Sequence, residues 1–133
     1  MWIGWPAPAC AADFPVGVTR LAFEDPSRPR WEGAGPRPLD TVLWYPATAD
    51  AKERDWTAGP FNAGRVAADA PPAPGRWPLV LLSHGTGGSA PSLGWLARAL
   101  AAHGMLVLAV NHHGNTGAEP HYQLPAFLAW WDR

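Results

Sequence analysis

Two short polar runs carry the residue types that could do chemistry. The first is Ser83-His-Gly-Thr-Gly-Gly-Ser89 and the second is Asn111-His-His-Gly-Asn-Thr-Gly117. Glycine lets the backbone take positive φ and approach a bound group closely. A His-Gly-x-Gly-Gly run can therefore turn successive amide N–H groups toward one point. Two convergent N–H groups are what a tetrahedral oxyanion needs. Two other readings of the same run stay open: a tight turn that uses glycine for geometry alone, and a phosphate cradle. The phosphate reading lacks both the Walker pattern with its Lys-Ser/Thr and the G-x-G-x-x-G dinucleotide fingerprint.

The remaining reactive residues are scattered. No Gly-x-Ser-x-Gly or Gly-x-Cys-x-Gly occurs in the 133 residues, and the nearest run is Ala90-Pro-Ser-Leu-Gly94. A nucleophile elbow needs a strand delivering the serine into a sharp turn. Ser92 follows Pro91 at a distance from the preceding apolar run, so its expected role is a helix cap. Cys10 is the only cysteine and precedes the first predicted strand. A single cysteine excludes an internal disulfide framework and a cysteine-based zinc cluster. His112, His113 and His121 lack a carboxylate or cysteine at a usual ligand spacing, so they read as rim or surface residues. No metal and no cofactor is expected. His103 suits the negative end of a helix dipole. Glu119 and Asp132 have no partner that the sequence can name, and Trp95, Trp130 and Trp131 read as core.

The elements that must position the two runs are visible in the apolar pattern. Leu79-Val-Leu-Leu82 is a continuous apolar run, as in a strand buried on both faces. Ser92 can cap a helix over Leu93–His103, with Leu96, Ala99, Leu100 and His103 on one face and Gly104 as its stop. Met105–Val110 reads as a second buried strand. Strand, helix and strand make one βαβ unit with parallel strands, so the fold class is α/β. Both polar runs then lie beyond the C-terminal ends of their strands, where open α/β sheets bind ligands.

Upstream, Val16–Phe23 and Leu39–Tyr45 read as strands that pair as an antiparallel edge. Glu24–Pro38, with four prolines, reads as turn and loop. Residues 47–77 read as a loop-rich solvated insertion, with a short helix between Phe61 and Ala70 as the alternative. Downstream, Pro125–Trp131 could start a helix. Residues 1–13 admit two readings, a truncated signal peptide that would imply a periplasmic or secreted protein, or a disordered end. Residues 14–133 form the domain.

The Val16-Gly-Val, Thr41-Val-Leu-Trp-Tyr-Pro46, Pro78–Ser89, Leu96–Gly104 and Val110–Thr116 segments together resemble the N-terminal part of the predicted dienelactone hydrolases. That group is the branch of the α/β-hydrolase superfamily related to platelet-activating-factor acetylhydrolases. The resemblance spans most of residues 14–117. It implies a serine-type carboxylic ester or lactone hydrolase acting on a small-molecule ester. It places an oxyanion-hole N–H on Thr86, with Gly85 and Gly87 shaping the turn and His84 supporting it. His113 falls in a segment that lines the mouth of the substrate pocket. The expectation is an incomplete sheet, antiparallel edge strands followed by the βαβ unit, in an N-terminal fragment that lacks the nucleophile. The competing hypothesis is a non-catalytic truncated α/β module that acts by binding a partner.

Composition narrows the partners. Ten basic and eleven acidic residues leave a net charge of -1, without the basic stripe of a nucleic-acid binder. Arginine supplies all the basic residues but Lys52. Gly 14 and Pro 16 are about twice their usual share, which suits a loop-rich chain. No apolar run approaches the roughly 18 residues of a membrane span. An open sheet edge would favour self-association.

Overall fold

The computed structural model describes residues 13–31, 33–58 and 61–119. Cys10, His121, Trp130, Trp131 and Asp132, the predicted Pro125–Trp131 helix and nearly all of the 1–13 segment lie outside the described residues.

The local hairpin comes first. β1 (Val16–Pro29) and β2 (Pro36–Pro46) pair antiparallel from Val16↔Pro46 to Pro29↔Pro36, with a register shift between Asp25 and Pro29. The two expected strands are therefore present but longer than the pattern predicted. The run Glu24–Pro38 is mostly strand, and only residues 30–35 connect the two. Proline stops helices and central strands, yet its fixed φ fits extended chain wherever its missing N–H is not needed. Here β1 meets its other neighbour only at Gly17 and Val18, and β2 meets β6 at Thr41–Trp44. The proline-bearing half of the hairpin is thus a two-stranded arm projecting past the sheet.

The 47–77 segment departs furthest from expectation. It contains β3 (Arg54–Ala58) and β4 (Phe61–Ala68), which pair antiparallel, and β4 also joins β1 in parallel. The Phe61–Ala70 helix is corrected to a strand. Its buried residues are Ala63, Val66 and Ala67, small side chains that let the helix come close. Gly64, at φ +97, lies where a Cβ would meet the Arg98 side chain at 2.6 Å. A Cβ on Gly94 would likewise sit 2.3 Å from the Trp56 ring.

The βαβ unit is present. β5 (Leu79–Ser83) runs parallel to β6 (Leu106–Val110), from Leu79↔Leu106 to Ser83↔Val110, and α1 (Gly94–Ala102) crosses between them. Three details are corrected, the first being Trp95, expected in the core but 64% exposed on α1. Ser92 does not cap α1; it lies in a 3₁₀ turn over Ala90–Leu93, where its hydroxyl donates to Ser89 O at 2.6 Å. The buried stripe of α1 is Gly94, Ala97, Ala101 and Ala102, with Leu96 and Leu100 half-buried and Ala99 and His103 exposed. Small residues win the buried stripe because the helix lies tight on the sheet. Gly104, at φ +82, closes α1 as expected.

Among the described residues the strand order is β3-β4-β1-β2-β6-β5, a mixed six-stranded sheet with one α-helix. α1 covers one face, over Val16, Val42, Trp44, Val66, Val107 and Ala109, with Val80 and Leu82 packed against them. The other face carries no helix among the described residues. Hence β5 is not buried on both faces: Leu79 is 55% and Leu81 73% exposed. Among the described residues, no helix is long and apolar enough to cross a membrane.

Candidate active site

β5 and β6 end level with each other, so the two glycine-bearing loops leave the same rim of the sheet. Side chains then tie them together. Ser83 Oγ and His112 Nε2 are 2.7 Å apart, and the His112 N–H donates to His84 Nε2 at 3.1 Å. Because His84 Nε2 accepts, its Nδ1 carries the proton and donates to Gly85 O at 2.8 Å. Thr116 Oγ1 and Gly117 N–H both donate to Gly88 O at 2.9 Å. Asn111 fastens the base of the rim, accepting from Ala90 N–H at 2.7 Å and donating to Asp40 at 2.9 Å.

Those bonds determine which amides remain available. Gly88 N–H closes the turn on Gly85 O at 3.0 Å, and Gly87 N–H points to Asn115 Oδ1 at 3.3 Å. The N–H groups of Gly85 and Thr86 have no protein acceptor among the described residues. Gly87 takes φ +68, the left-handed conformation that glycine adopts without strain.

The third wall is the tip of the β1–β2 arm. Trp31 donates its backbone N–H to His113 Nε2 at 3.2 Å and its indole N–H to His113 O at 2.8 Å. His113 Nδ1 in turn meets Glu119 Oε1 at 2.8 Å, and Gly114 N–H donates to Glu119 Oε2 at 3.0 Å. Gly114 sits at φ +80, and a Cβ there would fall 2.2 Å from the Trp31 ring. Only glycine allows the arm to dock.

These three walls enclose a cavity of about 500 Å³. Gly85, Thr86 and His113, all singled out in the sequence, line it; Gly87 supports the turn without lining it. His113 reaches the cavity with both ring nitrogens already engaged by Trp31 and Glu119. Sequence reasoning passed over Ser83 and His112 as a pair. The signal was present, since each closes or follows one of two parallel strands of equal length. Arg28, Trp31, Arg37 and Leu39 of the arm also line the cavity, and the prolines of that run give no sign of it in the sequence. Among the described residues no cluster of three His, Cys, Asp or Glu could hold a metal ion.

Burial lowers the pKa of the His112 imidazole below its ordinary value, and the neighbouring His84 adds to the shift. The neutral ring can accept the Ser83 hydroxyl proton in a hydrogen bond. Among the described residues no carboxylate orients that ring, so the pair lacks the third member of a triad. The shift has a consequence for stability. A histidine held neutral in the folded state binds fewer protons than in the unfolded chain. Its contribution is complete above pH about 6.5 and is lost as pH falls through the folded-state pKa. Urea midpoints measured from pH 7.5 to 5 should therefore fall more steeply for the wild type than for His112→Gln. Parallel curves would remove His112 as the cause.

A family model described as platelet-activating factor acetylhydrolase, isoform II, matches residues 63–125, from β4 through both rim loops. Among solved structures, the ferulic acid esterase from Streptomyces cinnamoneus is similar at 34% identity with a TM-score of 0.62. The similarity covers 84% of this chain and 36% of that one. The chain therefore spans little more than a third of that esterase's length. No curated protein matches the sequence significantly.

Proposed function

From a chain that carries part of an α/β-hydrolase fold, of the platelet-activating-factor-acetylhydrolase-like branch, we propose that it supplies the oxyanion-binding wall of a serine-type carboxylic ester hydrolase. In this reading the enzyme is of dienelactone-hydrolase type and acts on a small-molecule ester or lactone. One observation carries the proposal: Thr86 lines the cavity, and its backbone N–H has no protein acceptor among the described residues. A backbone donor fixed by the surrounding turn needs no reorganisation when charge develops on the substrate oxygen. Gly85 and Gly87 give the turn its shape, and His84 holds it through Gly85 O and the His112 N–H. His113 forms the mouth of the cavity and braces the arm.

The reaction needs a serine to attack the acyl carbon and a histidine to take its proton. In this reading those groups are not among these 133 residues, in which no Gly-x-Ser-x-Gly occurs. Ser83 and His112 are then a structural pair that joins the two loops.

The test is complementation. The chain is assayed on a p-nitrophenyl ester alone and after co-expression with the part of the similar ferulic acid esterase that it does not cover. Turnover above background only in the combination is the expected result. Turnover by the chain alone, abolished by Ser83→Ala, would place the nucleophile at Ser83 and overturn the reading.

A second reading is favoured by the exposed Leu79 and Leu81 on β5, the edge strand of the described sheet. An uncovered apolar edge invites pairing with another chain, so a binding module or a self-associating one fits that surface. A chain that complements nothing yet elutes as an oligomer supports this second reading.

A further inference from the structure

The cavity that holds Thr86 is charged asymmetrically, and the arm is the source. Two arginines from it line the cavity, Arg28 and Arg37, and no carboxylate lines it among the described residues. They differ in how they are satisfied. Arg28 is paired with Asp25, which also accepts from the Ser27 hydroxyl and backbone N–H. The Ser27 and Arg28 hydrogen bonds hold the Asp25 carboxyl at about 2, so it remains ionised opposite Arg28 at any ordinary pH. Arg37 has no carboxylate partner among the described residues. Its Nε donates to Pro29 O at 3.1 Å, and its guanidinium lies 5.7 Å from the centre of the Trp31 ring. Stacking and the Nε bond fix the plane of the group while leaving both terminal nitrogens without a protein acceptor among the described residues. Trp31 is itself anchored to His113, so the guanidinium is held on a docked support. A planar fork fixed in this way, with two donors to spare, matches the two oxygens of a carboxylate or phosphate.

We infer that Arg37 is the specificity residue of this site, binding an anionic group on the substrate, a carboxylate or a phosphate carried away from the ester bond. The inference rests on the hydrolase reading for its substrate but not for its test. The preferred ester would have an acidic group in the portion that reaches the arm, while Thr86 faces the reacting carbonyl.

Binding is measured without turnover, on the whole chain, by calorimetric titration with monomethyl succinate, methyl phosphate and the neutral amide methyl succinamate. At least one anion should bind ten times or more tightly than the amide, and the stronger of the two identifies the oxyacid. Arg37→Gln should erase that preference. Arg98→Gln, on α1 outside the cavity, should leave it intact, and Arg37→Lys should keep the sign of the preference. Anion and amide binding within twofold of each other, or equal losses in Arg37→Gln and Arg98→Gln, would overturn the inference. So would loss of the preference in Arg37→Lys as complete as in Arg37→Gln. Successful complementation without an anion preference would sink Arg37 alone. An anion preference without complementation would sink the hydrolase reading alone.

Discussion

Replacing Thr86 by proline is expected to lower kcat of the complemented enzyme by 10²–10³, about 2.7–4 kcal/mol of transition-state stabilisation. The reason lies in the backbone. Thr86 lines the cavity and its amide has no protein acceptor among the described residues, and proline has no N–H to offer. Thr86→Ala keeps the amide and should stay within about threefold of wild type. The contrast separates the donor from the side chain, which is what distinguishes an oxyanion site from a threonine contact. The division between kinetic constants supplies a second control. An interaction made mainly in the transition state lowers kcat and leaves KM nearly unchanged. A misplaced loop would raise KM as well. If Thr86→Pro lost less than tenfold in kcat, the oxyanion donor would have to be another group.

The second large effect is on folding. Trp44→Ala should destabilise the chain by about 3–5 kcal/mol, a large part of the roughly 5–15 kcal/mol typical of a domain. Trp44 is fully buried in β2, beneath α1, with its ring edge-on to Trp56 at 5.7 Å. Its indole N–H is the one buried side-chain polar atom without a hydrogen-bond partner among the described residues. An unpaired donor already costs about 1–3 kcal/mol. Trp44→Phe removes that donor while retaining an aromatic ring, and should fall within about 1.5 kcal/mol of wild type. Urea unfolding of the three proteins measures both differences. A loss below about 1 kcal/mol for Trp44→Ala would show that the β2–α1 layer is not the centre of the core.

The parts of the fold that could be read from sequence are those with strong local patterns. Leu79–Leu82 and Met105–Val110 are short apolar runs followed by glycine-bearing loops, and they hold the strands Leu79–Ser83 and Leu106–Val110. The rim loops follow from them, and Thr86, Gly85 and His113 line one cavity. Other parts had no such signature. β4 is built from Ala63, Val66, Ala67 and Ala68, a run whose small side chains suit a close-packed sheet face but also suit a helix. Its strand identity comes from a hairpin with β3 and from parallel pairing with β1, about 50 positions away. The arm was hidden by its prolines, which suggest loop when they are counted and extended chain when their neighbours are known. With the arm hidden, Arg28, Trp31, Arg37 and Leu39 could not be assigned to the cavity. The exposed face of β5 has a different cause, since an all-apolar run predicts two covered faces and cannot say whether both covers are present.

The Trp31–His113 bond spans 82 positions of sequence, and that interval is also a time. A ribosome adding about 5–20 residues per second takes on the order of 4–16 s to cover it. The hairpin has only local contacts to make and can close within microseconds. It would therefore emerge early and wait with Trp31 undocked until the β6 loop appeared. During that wait the Trp31 ring is available to chaperones. The last step in building the cavity is thus the capture of an element made among the first.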